Sequence, residues 1–252
     1  MAFPSIESIG APGWLKPVAL KDRAIHIWDF SLDGSPSFIE HCRSWLSEDE
    51  CGRAARFVHR RDHDRFVLAH GGLRAVLSRY LPIGPEDVVL SRRQAGKPFV
   101  ARDFHGQPAI TFNMSHAHGR ALIAVSQGQE VGVDLERIRL DVEVEQLSER
   151  FFSPSEHATI KQSTQEQRAT KFFRYWVAKE AVLKAQGIGL QALGQCEILL
   201  GANGVAAEVL VPAGARLENN WGVRPLPCDE GWEAAVAAQW LDRVVQCGPA
   251  GS

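Results

Sequence analysis

Cysteine is scarce in this chain and follows no pattern. Cys42, Cys51, Cys196, Cys228 and Cys247 are an odd number without paired metal spacing. That excludes a disulfide scaffold and a thiolate zinc centre, and predicts free thiols in a reducing compartment. No stretch approaches the roughly eighteen consecutive apolar residues of a membrane span. The opening Met-Ala-Phe-Pro-Ser-Ile-Glu lacks the basic region and apolar run of a secretory leader. A cytoplasmic protein with no membrane association is expected. Net charge is also nearly absent, at −2, which argues against bulk affinity for nucleic acid.

What is there is a globular composition, 45% hydrophobic and 23% charged over 252 residues, enough for one large domain or two small ones. The small net charge hides a contrast. Residues 51–102 hold eleven Arg/Lys against four Asp/Glu, whereas residues 130–149 hold seven acids against two arginines. A basic half and an acidic segment suit a polyphosphate ligand and a metal respectively. For most single residues a solvated face explains the charge equally well.

Two stretches organise the rest. Residues 172–184 contain neither Gly nor Pro and space their apolar residues as a helix does. Trp176, Glu180 and Lys184 fall there at i, i+4 and i+8, on one face. Val131 to Glu136 reads as a strand whose two-residue repeat turns Asp134 and Glu136 to the same side. If strand and helix meet, three carboxylates and a lysine converge, which suits a hard divalent cation with a phosphate-bearing ligand. On pattern alone a solvated edge strand explains Asp134 and Glu136 equally well, and spacing alone favours an ordinary exposed i, i+4 pair for Glu180 and Lys184.

Residues 1–24 read as an irregular lead-in. Strands are expected at 24–30, 88–91, 109–113 and 121–126, and helices at 37–56 and 61–81. In the second part Ser153-Pro154-Ser155-Glu156 opens a helix and 171–186 is a long one. Strands follow at 197–200, 206–211, 222–225 and 233–239, joined by Gly201-Ala202-Asn203-Gly204 and Asp229-Glu230-Gly231 turns, with a loose tail beyond about Val245. The two parts resemble each other. Leu73-Arg74-Ala75 lines up with Leu183-Lys184-Ala185 at an offset of 110, and Gly119–Val125 with Gly231–Ala237 at 112.

Five ordered blocks carry a further resemblance. They are Gly96-Lys97-Pro98, Phe112-Asn113-Met114-Ser115-His116, Gly132-Val133-Asp134-Leu135-Glu136, Arg150-Phe151-Phe152-Ser153 with Glu156, and Trp176-Val177-Ala178-Lys179-Glu180 with Lys184. Together they resemble the signature of 4′-phosphopantetheinyl transferases of the surfactin-synthetase (Sfp) type, from about Arg53 to about Ala238. The resemblance implies an α+β fold, a pseudo-dimer of two similar halves, each a small, mainly antiparallel sheet packed with a long helix. Residues 1–130 would take the adenosine and 3′-phosphate side of coenzyme A, and 131–252 the metal and catalytic side. It implies transfer of phosphopantetheine from coenzyme A to a serine of an apo acyl or peptidyl carrier protein, with Mg²⁺ or Mn²⁺ and release of 3′,5′-ADP, by a monomer.

By the same resemblance Asp134, Glu136 and Glu180 would hold the metal, and Lys184 would reach the diphosphate. Glu180 would share in catalysis. Glu156 would be a general base, although Ser153-Pro154-Ser155-Glu156 is equally a capping box. Lys97, Ser115 and His116 would contact the coenzyme, with Arg65 on its 3′-phosphate. The family's two lysines three apart read Glu50 and Arg53 here, so one contact is missing and Arg53 would stand in. A non-catalytic module binding coenzyme A or a nucleotide, or a metal-dependent diphosphate hydrolase, are the rival readings.

Overall fold

The order of elements repeats once along the chain. Strand β1 (Ile25–Ser31) leads through helices α1 (Pro36–Ser44) and α2 (Glu48–Ala54) to the long α3 (Arg60–Ser78). A 3-10 turn at Pro85–Asp87, the hairpin β2 (Leu90–Arg92) and β3 (Pro98–Val100), and strands β4 (Ile110–Ala117) and β5 (Arg120–Gln127) follow. The second pass runs β6 (Val131–Arg137), α4 (Val144–Phe151), α5 (Pro154–Lys161) and α6 (Gln165–Gln186). It continues with a 3-10 turn at Leu190–Gln195, the hairpin β7 (Glu197–Leu200) and β8 (Ala206–Leu210), then β9 (Gly222–Pro225) and β10 (Trp232–Ala238). Sheet order repeats too, β1-β5-β4 and then β6-β10-β9, all antiparallel. The fold is an α+β pseudo-dimer.

This computed structural model describes residues 16–93, 96–101, 104, 109–201, 206–210 and 221–247. Most of the expected lead-in, part of the turn at 201–204, Val211 and the end of the tail lie outside them. Val244–Cys247 is not a loose tail but strand β11, paired parallel with β1 at the edge of the first sheet.

Local chemistry accounts for several boundaries that differ from expectation. The helix expected over 37–56 is two helices, because Ser47 caps a new one. Its hydroxyl accepts from Glu50 N while Glu50 returns a bond to Ser47 N, a capping box. Ser153 and Glu156 form the same box at the start of α5. Helix α6 starts six residues before the expected Lys171, and ends where Gly187 takes φ +68, open to glycine at little cost. Helix α4 and strand β3 differ from expectation: each is short, and α4 starts without a side-chain cap.

Three apolar cores hold the layers. Helix α3 buries Leu73, Val76 and Leu77 against Trp28, Phe30, Ile123 and Val125 of the first sheet. Helix α6 buries Val177, Ala181 and Val182 against Val223, Ala235 and Ala237 of the second. The opposite faces of the sheets meet in a third core, where Ile25, Ile27 and Leu122 face Val131, Val133 and Val236. The period of two places alternate residues of each strand in different cores.

The internal repeat is tighter than the sequence alignment. Arg74 on α3 pairs with the capping-box Glu50 (Nη2–Oε2 2.7 Å) and donates to Pro85 and Val88 carbonyls. Lys179 on α6 pairs with the capping-box Glu156 (2.9 Å) and donates to Leu193 and Cys196 carbonyls. Each buried cation ties a capped helix, a long helix and the segment after it. The helices therefore correspond at an offset of 105, not 110. The alignment at 112 stands, since Gly119 and Gly231 both take left-handed φ, +86 and +84, just before β5 and β10.

Candidate active site

Gly132 decides how close helix and strand can come. A Cβ there would overlap the carbonyl of Ala181 and the amide of Ala185, so the backbone of α6 lies directly on β6. One residue pair along the strand, Asp134 is then within reach of the helix. Lys184 Nζ lies 2.6 Å from Asp134 Oδ1, 3.1 Å from Ser115 Oγ and 3.4 Å from Glu180 Oε2. Ser115, on β4, also donates to Asp134 Oδ1 at 2.8 Å. Neighbouring Asn113 accepts from Val133 N at 2.9 Å, which closes the seam between the two sheets.

The cluster is buried, with Asp134 2% and Glu180 9% exposed. The readings as a solvated strand side and an exposed helix pair are thereby excluded for these residues. Burial, then the charge of Asp134, pushes the Glu180 carboxyl up to about 7 against the pull of Lys184. Burial and Asp134 also raise Glu136, which is half-buried. Burial opposes the Lys184 ammonium, yet Asp134 and Glu180 hold it above its usual range.

The three carboxylates do not close on one point; among the described residues no three His, Cys, Asp or Glu side chains do. Asp134 and Glu180 converge instead on the Lys184 ammonium. The donor set nonetheless fits a hard divalent cation. Asp134 Oδ2 is buried without a partner, and crowding of Glu180 by two acidic neighbours leaves more negative charge than one ammonium offsets.

Strand β4 is also a wall of the neighbouring cavity in the first half. This cavity, of about 420 Å³, is lined by Asn113, Met114 and His116 from β4, by Arg53 and His70 from the helices, by Arg92, and by the acids Asp49, Glu50 and Glu86. The Arg53 guanidinium sits 5.1 Å over the Phe66 ring. His116 is accessible at the rim yet held below its usual range by desolvation, then by His70 and Lys184.

Three expected residues lie elsewhere. Lys97 commits its three donors to Glu130 Oε2 (2.7 Å), Val131 O (3.0 Å) and Ala185 O (2.7 Å), leaving none for a ligand. It caps the end of α6, so the expected coenzyme contact does not fit its geometry. Arg65 lies against Gly119 and 3.7 Å from Asp33, with a buried, unpartnered Nε, and does not line the cavity. Glu156 does not join the cluster. Its oxygens accept from Ser153 N, Ile198 N and Lys179, at 1% exposure. That matches Glu50 in the first half and makes Glu156 part of the buried clamp.

His70 and Arg92 were missed. A signal existed for His70: Phe66, His70 and Arg74 repeat the i, i+4, i+8 spacing of Trp176, Glu180 and Lys184.

A buried acid–lysine cluster beside a polar cavity of mixed charge marks the chain as one that handles a charged ligand. Its family follows from relatives. Residues 130–237 match the 4′-phosphopantetheinyl transferase superfamily, and residues 33–128 match the 4′-phosphopantetheinyl transferase N-terminal family. The chain is 36% identical to the 4′-phosphopantetheinyl transferase HetI of Nostoc sp., covering 89% of this chain and 92% of that protein. It is 31% identical to a putative 4′-phosphopantetheinyl transferase of Synechocystis over 74% of each. The Sfp transferase of Bacillus subtilis matches at 29% over 60% of this chain and 64% of its own length. The chain belongs to the 4′-phosphopantetheinyl transferase superfamily.

Proposed function

We propose that the protein moves the 4′-phosphopantetheine group from coenzyme A to a serine of an apo acyl or peptidyl carrier protein, with Mg²⁺ and release of 3′,5′-ADP. The observation that carries this is the Lys184–Asp134–Glu180 cluster, beside a cavity lined by Arg53, Arg92 and His116 among others. The serine oxygen bonds to the β-phosphorus as the bond from that phosphorus to the bridging oxygen breaks, and the oxygen leaves with 3′,5′-ADP. Glu180, buried beside Asp134 and Lys184, is placed to accept the serine proton. Lys184 neutralises charge growing on the leaving diphosphate oxygen. Asp134, Glu136 and Glu180 would hold the cation, which when bound polarises the diphosphate. Arg53, Ser115 and His116 orient the coenzyme. The first half, 1–130, serves the nucleotide and the second, 131–252, the chemistry. The protein works as a cytoplasmic monomer.

Intact mass of apo carrier proteins after incubation with coenzyme A tests this. One added phosphopantetheinyl group with Mg²⁺, and none with a chelator, is the expected result. An unchanged mass for every carrier class would sink the reading.

A further inference from the structure

The repeat supplies an internal control for the cavity of the first half. A second cavity, of about 710 Å³, lies at the matching place in the second half, lined among others by Glu156, Thr159, Tyr175 and Ile198. The scaffolds agree: Ser47 and Glu50 match Ser153 and Glu156, and Arg74 matches Lys179. At the same offsets Arg53 meets Thr159 and His70 meets Tyr175. The architecture therefore needs no imidazole at this point. In the second half the carboxylate oxygen left over by the clamp takes a backbone donor, Ile198 N at 2.8 Å. In the first half Glu50 Oε1 takes His70 Nδ1 at 2.9 Å instead.

We propose that His70 is a contact for the phosphate-bearing 3′,5′-ADP portion of the coenzyme, and that Glu50 is its positioning residue. This rests on the transferase reading above. An ionised Glu50 only accepts, so Nδ1 of His70 must be the donor. One ring face stacks on Phe66, 4.1 Å between centroids. With both ring nitrogens protonated, Nε2 is then the donor left for a phosphate oxygen in the cavity that His70 lines. Arg53, on the same Phe66 ring, places a guanidinium beside it in a cavity that Asp49 and Glu86 also line. The position where a lysine is missing, Glu50, thus supplies its cationic contact at one remove.

Amide substitutions separate the two nitrogens. The amide of Asn overlays Nδ1 and keeps the bond to Glu50; the amide of Gln overlays Nε2 and keeps the bond to the ligand. Calorimetric titration with 3′,5′-ADP is the readout, with the melting temperature of each variant as the check on folding. His70→Asn should bind about ten- to a hundredfold more weakly at an unchanged melting temperature, the loss of a hydrogen bond to a charged group. His70→Gln should stay within about threefold of wild type, with Glu50→Gln between them. Loss confined to His70→Gln, equal loss in both His70 variants, or no loss in either would overturn the proposal. A wild-type protein that does not bind 3′,5′-ADP would instead bring down the transferase reading and this inference with it.

Discussion

Glu50 and Glu156 show how much two carboxylates in one setting can be asked to do. Burial alone would raise Glu50, but bonds from His70, Ser47 N and Arg74 hold it down at about 2. A carboxyl depressed in the folded state stabilises above its unfolded value and loses that contribution as pH falls through the folded one. The window is therefore from about 4.5 down to about 2, and its size on the order of 3 kcal/mol. Glu50→Gln should lower the urea midpoint at pH 7 and flatten its fall across that window. A fall as steep as in wild type would show that Glu50 is not the group titrating. Glu156 sits in the same clamp, so Glu156→Gln should cost stability, about 3 kcal/mol for a buried pair robbed of its charge. Its turnover should stay within a few-fold of wild type at a temperature where it is folded. Glu180→Gln should do the reverse, losing about 10²–10⁴ in kcat with its fold intact. Swapped outcomes would return the role of base to Glu156.

Among the elements, α6 and β6 make the site by touching. Gly132 lets backbone meet backbone, and only then do Glu180 and Lys184 reach Asp134. In the first half the matching strand position is His26, bonded to Tyr80 Oη at 2.9 Å, and Asp134 is matched by Trp28. There Arg79 stacks on Trp28, 4.8 Å from the ring centroid, where the second half has Lys184 on Asp134. The repeat has thus kept a cation over β1 while replacing the carboxylate with an aromatic ring. Gly132→Ala should push α6 outward and lower kcat/KM by about a hundredfold, the scale of a displacement of about an ångström at a reacting group. Circular dichroism would confirm retained helix. Activity within a few-fold of wild type would mean that the approach at Gly132 serves packing alone.

The whole molecule is held by the third core. Val131, Val133 and Val236 of the second sheet press on Ile25, Ile27 and Leu122 of the first, and β11 crosses back to pair with β1. A half cut at residue 130 would expose that apolar face, and the first sheet would lose its parallel edge strand. Residues 1–130 and 131–252 produced separately should each associate or aggregate, and transfer should return only when they are produced together. Sedimentation of each fragment and carrier mass after co-production are the measurements. A monomeric, active 131–252 fragment would refute the need for both halves.

The sequence by itself determined the elements that carry their own signals. The run of α6 without Gly or Pro, with Trp176, Glu180 and Lys184 on one face, the two-residue alternation of β6 and the repeat at Gly119 and Gly231 are local properties, fixed by side-chain spacing and backbone freedom. The ordered blocks around Asp134, Glu180 and Lys184 likewise stood out before any geometry. Only the tertiary structure decided what each charge is for. Lys97 and Glu156 occupy motif positions like their neighbours, yet their partners are Ala185 O and Lys179, far along the chain. His70 lies outside the ordered blocks, and gains its place because α2 brings Glu50 against it. A side chain's spacing places it on a face, but its protonation and bonds are set by the groups packed opposite, which one stretch of sequence does not contain.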